Sequence, residues 1–156
     1  MSVDSVTVSD RIEKQVVLRA PQSRVWRAVS TAEEFGEWFG ARLQGGVFTE
    51  GATFRGNITY PGYEHLIMEL QVERVEPDRL FSYRWHPYAI DPEVDYSQEP
   101  TTLVEFRLEA ADQGTLLTIT ESGFDRIPFE RRAEAFRMND HGWAGQIESI
   151  ERHVTQ

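Results

Sequence analysis

The sequence predicts an α+β fold, a strongly curved antiparallel sheet of about seven strands wrapped around a long C-terminal helix, with two short helices after the first strand. Three observations lead there. From Arg42 to Ser122 apolar residues recur with period two between repeated turn signals. Two short helical patterns precede that segment, and one continuous helical stripe occupies the end of the chain.

The first strand runs from about Ile12 to Leu18 and is stopped by Ala20-Pro21. Proline suits the first turn of a helix because its missing N–H has no partner to lose there. Val25, Trp26 and Val29 form the apolar face of that helix. Thr31-Ala32-Glu33-Glu34 has the spacing of a capping box, a hydroxyl three places before a carboxylate, and starts a second helix carrying Phe35, Trp38 and Phe39.

Strand-like runs follow at 42–48, 52–60, 66–75, 80–86, 102–109 and 115–122. Glu50-Gly51, Pro61-Gly62, Pro77-Asp78 and Asp112-Gln113-Gly114 supply the turns. Alternation assigns the faces. Phe54, Gly56, Ile58 and Tyr60 share one side; Leu66, Met68, Leu70 and Val72 point inward; Phe81, Tyr83 and Trp85 make an inner aromatic row. Val104, Phe106 and Leu108 face the same way, and in the last strand Leu117, Ile119 and then Glu121 do so. The irregular stretch from His86 to Pro100, with Tyr88, Ile90 and Tyr96 among its prolines, is either a lid over a cavity mouth or an insertion.

Phe129, Ala133, Phe136, Asp140, Trp143, Ile147, Ile150 and Val154 then step by four and three, a stripe along a helix of about 26 residues, or ~39 Å. A rod of that length buries its stripe by crossing the hollow of the sheet. Gly142 and Gly145 are expected to permit a close helix–sheet approach or a kink. Arg126, Arg131, Arg132 and Arg137, beside Glu130 and Glu134, read as a solvated, ion-paired face or a docking surface for a protein.

At 156 residues the chain suits a single domain over 11–156 after a flexible segment at 1–10. That segment has no basic start or apolar stretch of a signal peptide, and no apolar run elsewhere reaches the length of a membrane span, so a cytoplasmic location without membrane insertion is expected. The absence of cysteine excludes disulfides, thiolate nucleophiles and cysteine-ligated clusters. A net charge of −10 disfavours nucleic acid as a partner. The histidines, His65, His86, His141 and His153, lie in separate segments, and no metal or other cofactor is expected.

The order of elements is similar to that of the START-like superfamily, also called SRPBCC or birch-pollen-allergen-like, whose helix-grip fold encloses a cavity between sheet and terminal helix. The motifs resemble most its branch of the activator of heat-shock-protein-90 ATPase homologues. They are Ala20-Pro21, Val25-Trp26, Trp38-Phe39, Gly45-Gly46, Pro77-Asp78-Arg79-Leu80 with Trp85, Gly114-Thr115-Leu116-Leu117-Thr118 with Ser122-Gly123-Phe124, and Gly142-Trp143. They span roughly residues 11 to 154, in the right order. A fold of this kind hosts unrelated activities, so function has to come from the site.

The resemblance implies a cavity lined by Trp38, Phe54, Tyr60, Met68, Tyr83, Trp85, Phe106, Phe136 and Trp143, with Glu121 and Asp140 as inward carboxylates. The same aromatic residues could equally fill the core. Asp140, the one charged member of the helix stripe, either faces the cavity, pairs with an inward-leaning cation, or reaches solvent at a kink. Three readings follow: a binding protein for a small apolar or aromatic molecule; a hydrolase- or cyclase-like enzyme using Glu121 and Asp140; a co-chaperone-like module with a protein partner, monomeric or dimeric. An oxidoreductase role is not expected, since neither cysteines nor a G-x-G-x-x-G loop after a strand is present.

Overall fold

The computed structural model describes residues 10–155. Along the chain lie β1 (Arg11–Leu18), α1 (Gln22–Ser30), α2 (Ala32–Phe39), β2 (Thr53–Asn57), β3 (Ile67–Glu76), β4 (Leu80–Trp85), β5 (Thr102–Ala111), β6 (Gly114–Ser122), a 3₁₀ turn (Phe124–Arg126) and α3 (Phe129–Thr155). The flexible segment expected at 1–10 lies outside the described residues apart from Asp10. Six antiparallel strands form one sheet in the order β1-β6-β5-β4-β3-β2. The first strand thus pairs with the last, and β1 and β2 are the two edges. A two-residue turn, Asp112-Gln113, joins β5 to β6 beyond the closing pair Ala111–Gly114. In β3 the register slips between Val72 and Arg74, a bulge that adds local twist and bend.

The seventh strand expected at 42–48 is not a strand. Its backbone groups are divided: Arg42 N–H donates to Asn57 O of β2, while at the junction of α1 and α2 Ala32 N–H donates to Gly46 O and Phe48 N–H to Ser30 O, all at 2.8 Å. Gly45 and Gly46, at φ +126° and +77°, turn the chain between these bonds, and their N–H groups donate to the Glu33 carboxylate at 3.1 and 3.3 Å. The same segment crosses β2 so closely that a Cβ on Gly56 would stand 2.0 Å from Arg42 O. Only glycine permits that crossing.

The helix junction departs from expectation in a second way. Thr31 precedes α2 but its side chain makes no capping bond. Glu34, instead of reaching back to Thr31, accepts from Arg24 and Arg27 of α1 and lies against His153 Nε2 of α3, each at 2.8 Å. Burial alone would raise its carboxyl. The bonds to His153, Arg24 and Arg27 outweigh that and hold it at about 2, against an ordinary 4.5. A depressed folded value stabilises above the ordinary titration range and is lost as pH falls towards 2. Glu34→Gln is therefore expected to cost about 1–2 kcal/mol at pH 7, after allowance for water around the cluster. Urea unfolding of both proteins should show the difference shrinking below pH 4.5.

The α3 helix is unbroken over its 27 residues. Its C-terminal half buries the expected Trp143, Ile150 and Val154. Gln146 Nε2 and Ser149 Oγ donate to Phe39 O and Trp38 O at 2.9 and 2.5 Å, satisfying carbonyls that the end of α2 leaves without helical partners. The N-terminal half is rotated from the expected stripe: Ala135 is buried, Ala133 is exposed, and Phe129 is 81% exposed. Gly142 and Gly145 face open space, so a close helix–sheet approach does not explain them. Between helix and sheet the rings of Phe35, Trp38, Phe81, Tyr83 and Phe106 pack with centroids 4.7–6.3 Å apart. Aromatic packing, rather than an enclosed void, occupies the centre of the hollow.

Candidate functional site

Alternation along β6 places Glu121 on the inner face, where it is fully buried. Its partners in strand register, Ile12 and Val104, are apolar and offer it no donor. Donors come instead from three other places. Trp85 at the end of β4 and Thr102 at the start of β5, a cross-strand pair, donate to Oε2 at 2.8 and 2.5 Å. One turn apart on α3, Trp143 Nε1 donates to Oε1 at 2.8 Å and Asn139 Nδ2 reaches both oxygens at 3.0 and 3.1 Å. Two indoles, one hydroxyl and one amide thus fill the acceptor capacity of a carboxylate. Among the described residues no ion pair involves Glu121.

Burial raises the Glu121 carboxyl above its ordinary 4.5, although the bonds from Thr102, Trp143, Trp85 and Asn139 oppose this. The neighbouring Tyr83 is buried with its hydroxyl unpaired, and its phenol is pushed well above the ordinary range by burial and then by the charge of Glu121.

Asp140 is not the second carboxylate of this site. It pairs with Lys14 Nζ of β1 at 2.9 Å, with its side chain 47% exposed. Lys14 occupies the same face of β1 as the buried Ile12 and Leu18, so the inward-leaning cation is real, but the pair closes the edge between β1 and α3. Hydrolase or cyclase chemistry shared between Glu121 and Asp140 loses its second group.

A groove of about 580 Å³ opens beside the buried carboxylate. Its floor includes Phe39, Met68, Trp85 and Asn139; one flank is Ile58, Leu66 and Ile67; the other is the irregular chain from His86 to Ser97. Trp85 and Asn139 therefore touch both the groove and Glu121. Of the lining expected from sequence, Met68 and Trp85 are in the groove, with Glu121 directly behind it. Trp38, Tyr83, Phe106 and Trp143 belong to the packed interior. Phe54 packs edge-on against Phe48, and Phe136 against Phe124. Tyr60 is half exposed, its ring against Gly40, because the chain has left β2 at Asn57 and alternation no longer governs it.

Arg131 holds the groove's outer wall. Its Nε and Nη2 donate to one oxygen of Glu99 at 2.9 and 2.7 Å, and Nη1 donates to Pro87 O at 2.9 Å and Tyr88 O at 3.4 Å. The guanidinium also lies 4.7 Å from the centroid of the Tyr96 ring. Instead of joining a solvated arginine face, this side chain is 19% exposed and ties both ends of the 86–100 stretch to the first turn of α3. Asn139, Thr102, Phe39 and the wall-holding role of Arg131 are what sequence reasoning missed here. Among the described residues no group of His, Asp and Glu is placed to hold a metal ion, and no helix is long and apolar enough to cross a membrane.

The family model described as activator of Hsp90 ATPase homolog 1-like protein matches residues 19–155. Among solved structures, protein MLL2253 from Mesorhizobium loti superposes with a TM-score of 0.71 at 22% identity, over 93% of this chain and 96% of that one. Protein NE0264 from Nitrosomonas europaea gives 0.72 at 18% identity over 95% and 96%. The Aha1 dimer from Colwellia psychrerythraea, solved in solution, gives 0.67 at 16% identity over 90% and 92%. At such identities these likenesses show the fold alone. No curated protein matches the sequence.

Proposed function

The chain belongs to the activator of Hsp90 ATPase homolog 1-like family, and from that premise we propose that it is a binding protein for a small apolar or aromatic molecule held in the groove between β2–β3, Asn139 and the 86–97 wall. One observation carries the reading. A groove of about 580 Å³ combines an apolar and aromatic lining, Phe39, Ile58, Met68, Trp85 and Tyr88 among it, with charged and polar side chains around its walls. Sites for small molecules have this character and fall in the range of about 300–1,000 Å³. Glu121 fits as a fixed element behind the floor, holding Trp85 and Asn139 in place beside a ligand it does not touch.

Trp85 supplies the readout. A ligand on the groove floor should change tryptophan emission and raise the melting temperature in proportion to ligand concentration over Kd. Ala89→Trp, which adds bulk on the wall and leaves the interior alone, is expected to weaken binding at least tenfold while urea stability stays close to wild type. A panel of phenols, indoles and medium-chain aliphatics tests this by thermal shift and fluorescence. Binding that survives Ala89→Trp undiminished would place the ligand elsewhere.

A further inference from the structure

We propose that the ligand of this groove is cationic, an amine or comparable group on an apolar or aromatic body. The inference rests on the groove reading and deepens it through the charges that face the groove. Arg55 is the lining's one arginine, and Glu69, 3.9 Å away, already offsets it. Asp91 and Asp95 remain. The Asp91 carboxylate accepts the Glu93 N–H at 3.0 Å and that of Asp95 the Ser97 N–H at 2.9 Å, and neither joins an ion pair among the described residues. Hydrogen bonds from the Ser97 side chain and backbone hold Asp95 below the ordinary carboxylate range, so it is charged at neutral pH.

Of the cations that could neutralise this wall, His86 lies close enough to act on the Asp95 charge when protonated, and the permanently charged ones are committed elsewhere. Arg131 is spent on Glu99 and on loop carbonyls. The single lysine of the chain, Lys14, is bound to Asp140. Below the groove, Glu121 has only neutral donors, and two of them, Trp85 and Asn139, also line the floor. Phe39, Trp85 and Tyr88 offer aromatic rings to a cation in the same space. His65 and His86 are the lining's two histidines and would oppose a cation when protonated, so the test belongs at pH 8.

Two series of probes separate charge from shape: tryptamine, 3-ethylindole and indole-3-propionate; and octylamine, octanol and octanoate. Isothermal titration calorimetry is expected to rank amine above neutral analogue above acid in the series whose body fits. Each exposed carboxylate should contribute about three- to fivefold, and 0.5 M salt should remove most of the preference. Asn retains the side-chain oxygen that caps the local turns. The double variant Asp91→Asn, Asp95→Asn should therefore bring the amine to the affinity of its neutral analogue and leave the analogue unchanged. If the neutral or acidic member binds as well as the amine, the charge assignment falls and the groove reading stands. If no member of either series binds, both fall.

Discussion

Glu121→Leu is expected to destabilise the protein by about 3 kcal/mol or more, the largest loss from any single substitution at the site. Leucine relieves the burial of a charge, but it leaves Trp85, Trp143 and Asn139 with donors aimed at a methyl group. Each orphaned buried donor costs about 1–3 kcal/mol. Glu121→Gln is the finer probe. Thr102 can rotate its hydroxyl to accept from an amide, whereas neither indole can accept, so the new NH₂ must oppose one of the two indole N–H groups. A loss of about 1–2 kcal/mol at pH 5 follows. The pH dependence has a definite sign. The folded carboxyl of Glu121 lies above its ordinary 4.5, so its contribution is complete below that value and is lost as pH rises through the folded value. Glutamine has no such slope. Urea midpoints at pH 5 and pH 8 should show the gap between wild type and Gln narrowing at the higher pH; a gap that widens would contradict the raised carboxyl.

Arg131→Met should release the 86–100 wall and cost about 2–4 kcal/mol. Methionine keeps the aliphatic packing but deletes the fork that joins Glu99, the carbonyls of Pro87 and Tyr88, and the Tyr96 ring. It also leaves Glu99, itself 19% exposed, without its cation. Lysine should not restore the wall, because a point ammonium cannot bridge carboxylate and carbonyls in one plane. Limited proteolysis read by mass spectrometry should show new cleavage between residues 87 and 99, with the sheet intact. Cleavage spread evenly over the chain would mean that Arg131 supports the whole fold and not this wall.

The readable parts of the molecule were those governed by local periodicity. Alternation over 66–75, 80–86, 102–109 and 115–122 located four strands and their inner faces, including Glu121, because a buried face imposes period two on every residue of a paired strand. The parts that were not readable depend on partners distant in sequence. A stripe of fours and threes cannot distinguish Asp140 from Asn139, which sit about 100° apart around a helix. Only the donor geometry at Glu121, 18 residues away, selects Asn139. The segment 42–48 alternates like a strand, yet its hydrogen bonds are divided between Asn57 O at the end of β2 and the α1–α2 junction. Glu34 has the spacing of a capping box, but two arginines and a histidine 119 residues distant hold it better than the backbone of Thr31 could. Arg131 looked like surface charge because nothing local reveals that a loop more than 30 residues earlier folds back over it.

Donors from β4, β5 and α3 meet on one carboxylate, and this rivets the middle of the long helix to the sheet. Under the proposed binding role, entry of a guest by the helix lifting away would break all of these bonds at once. The same role would put entry at the other flank, where β2 is a five-residue border strand with β3 along one side. The kinetics of uptake would then report how often that flank breathes, independently of how firmly the protein as a whole resists unfolding.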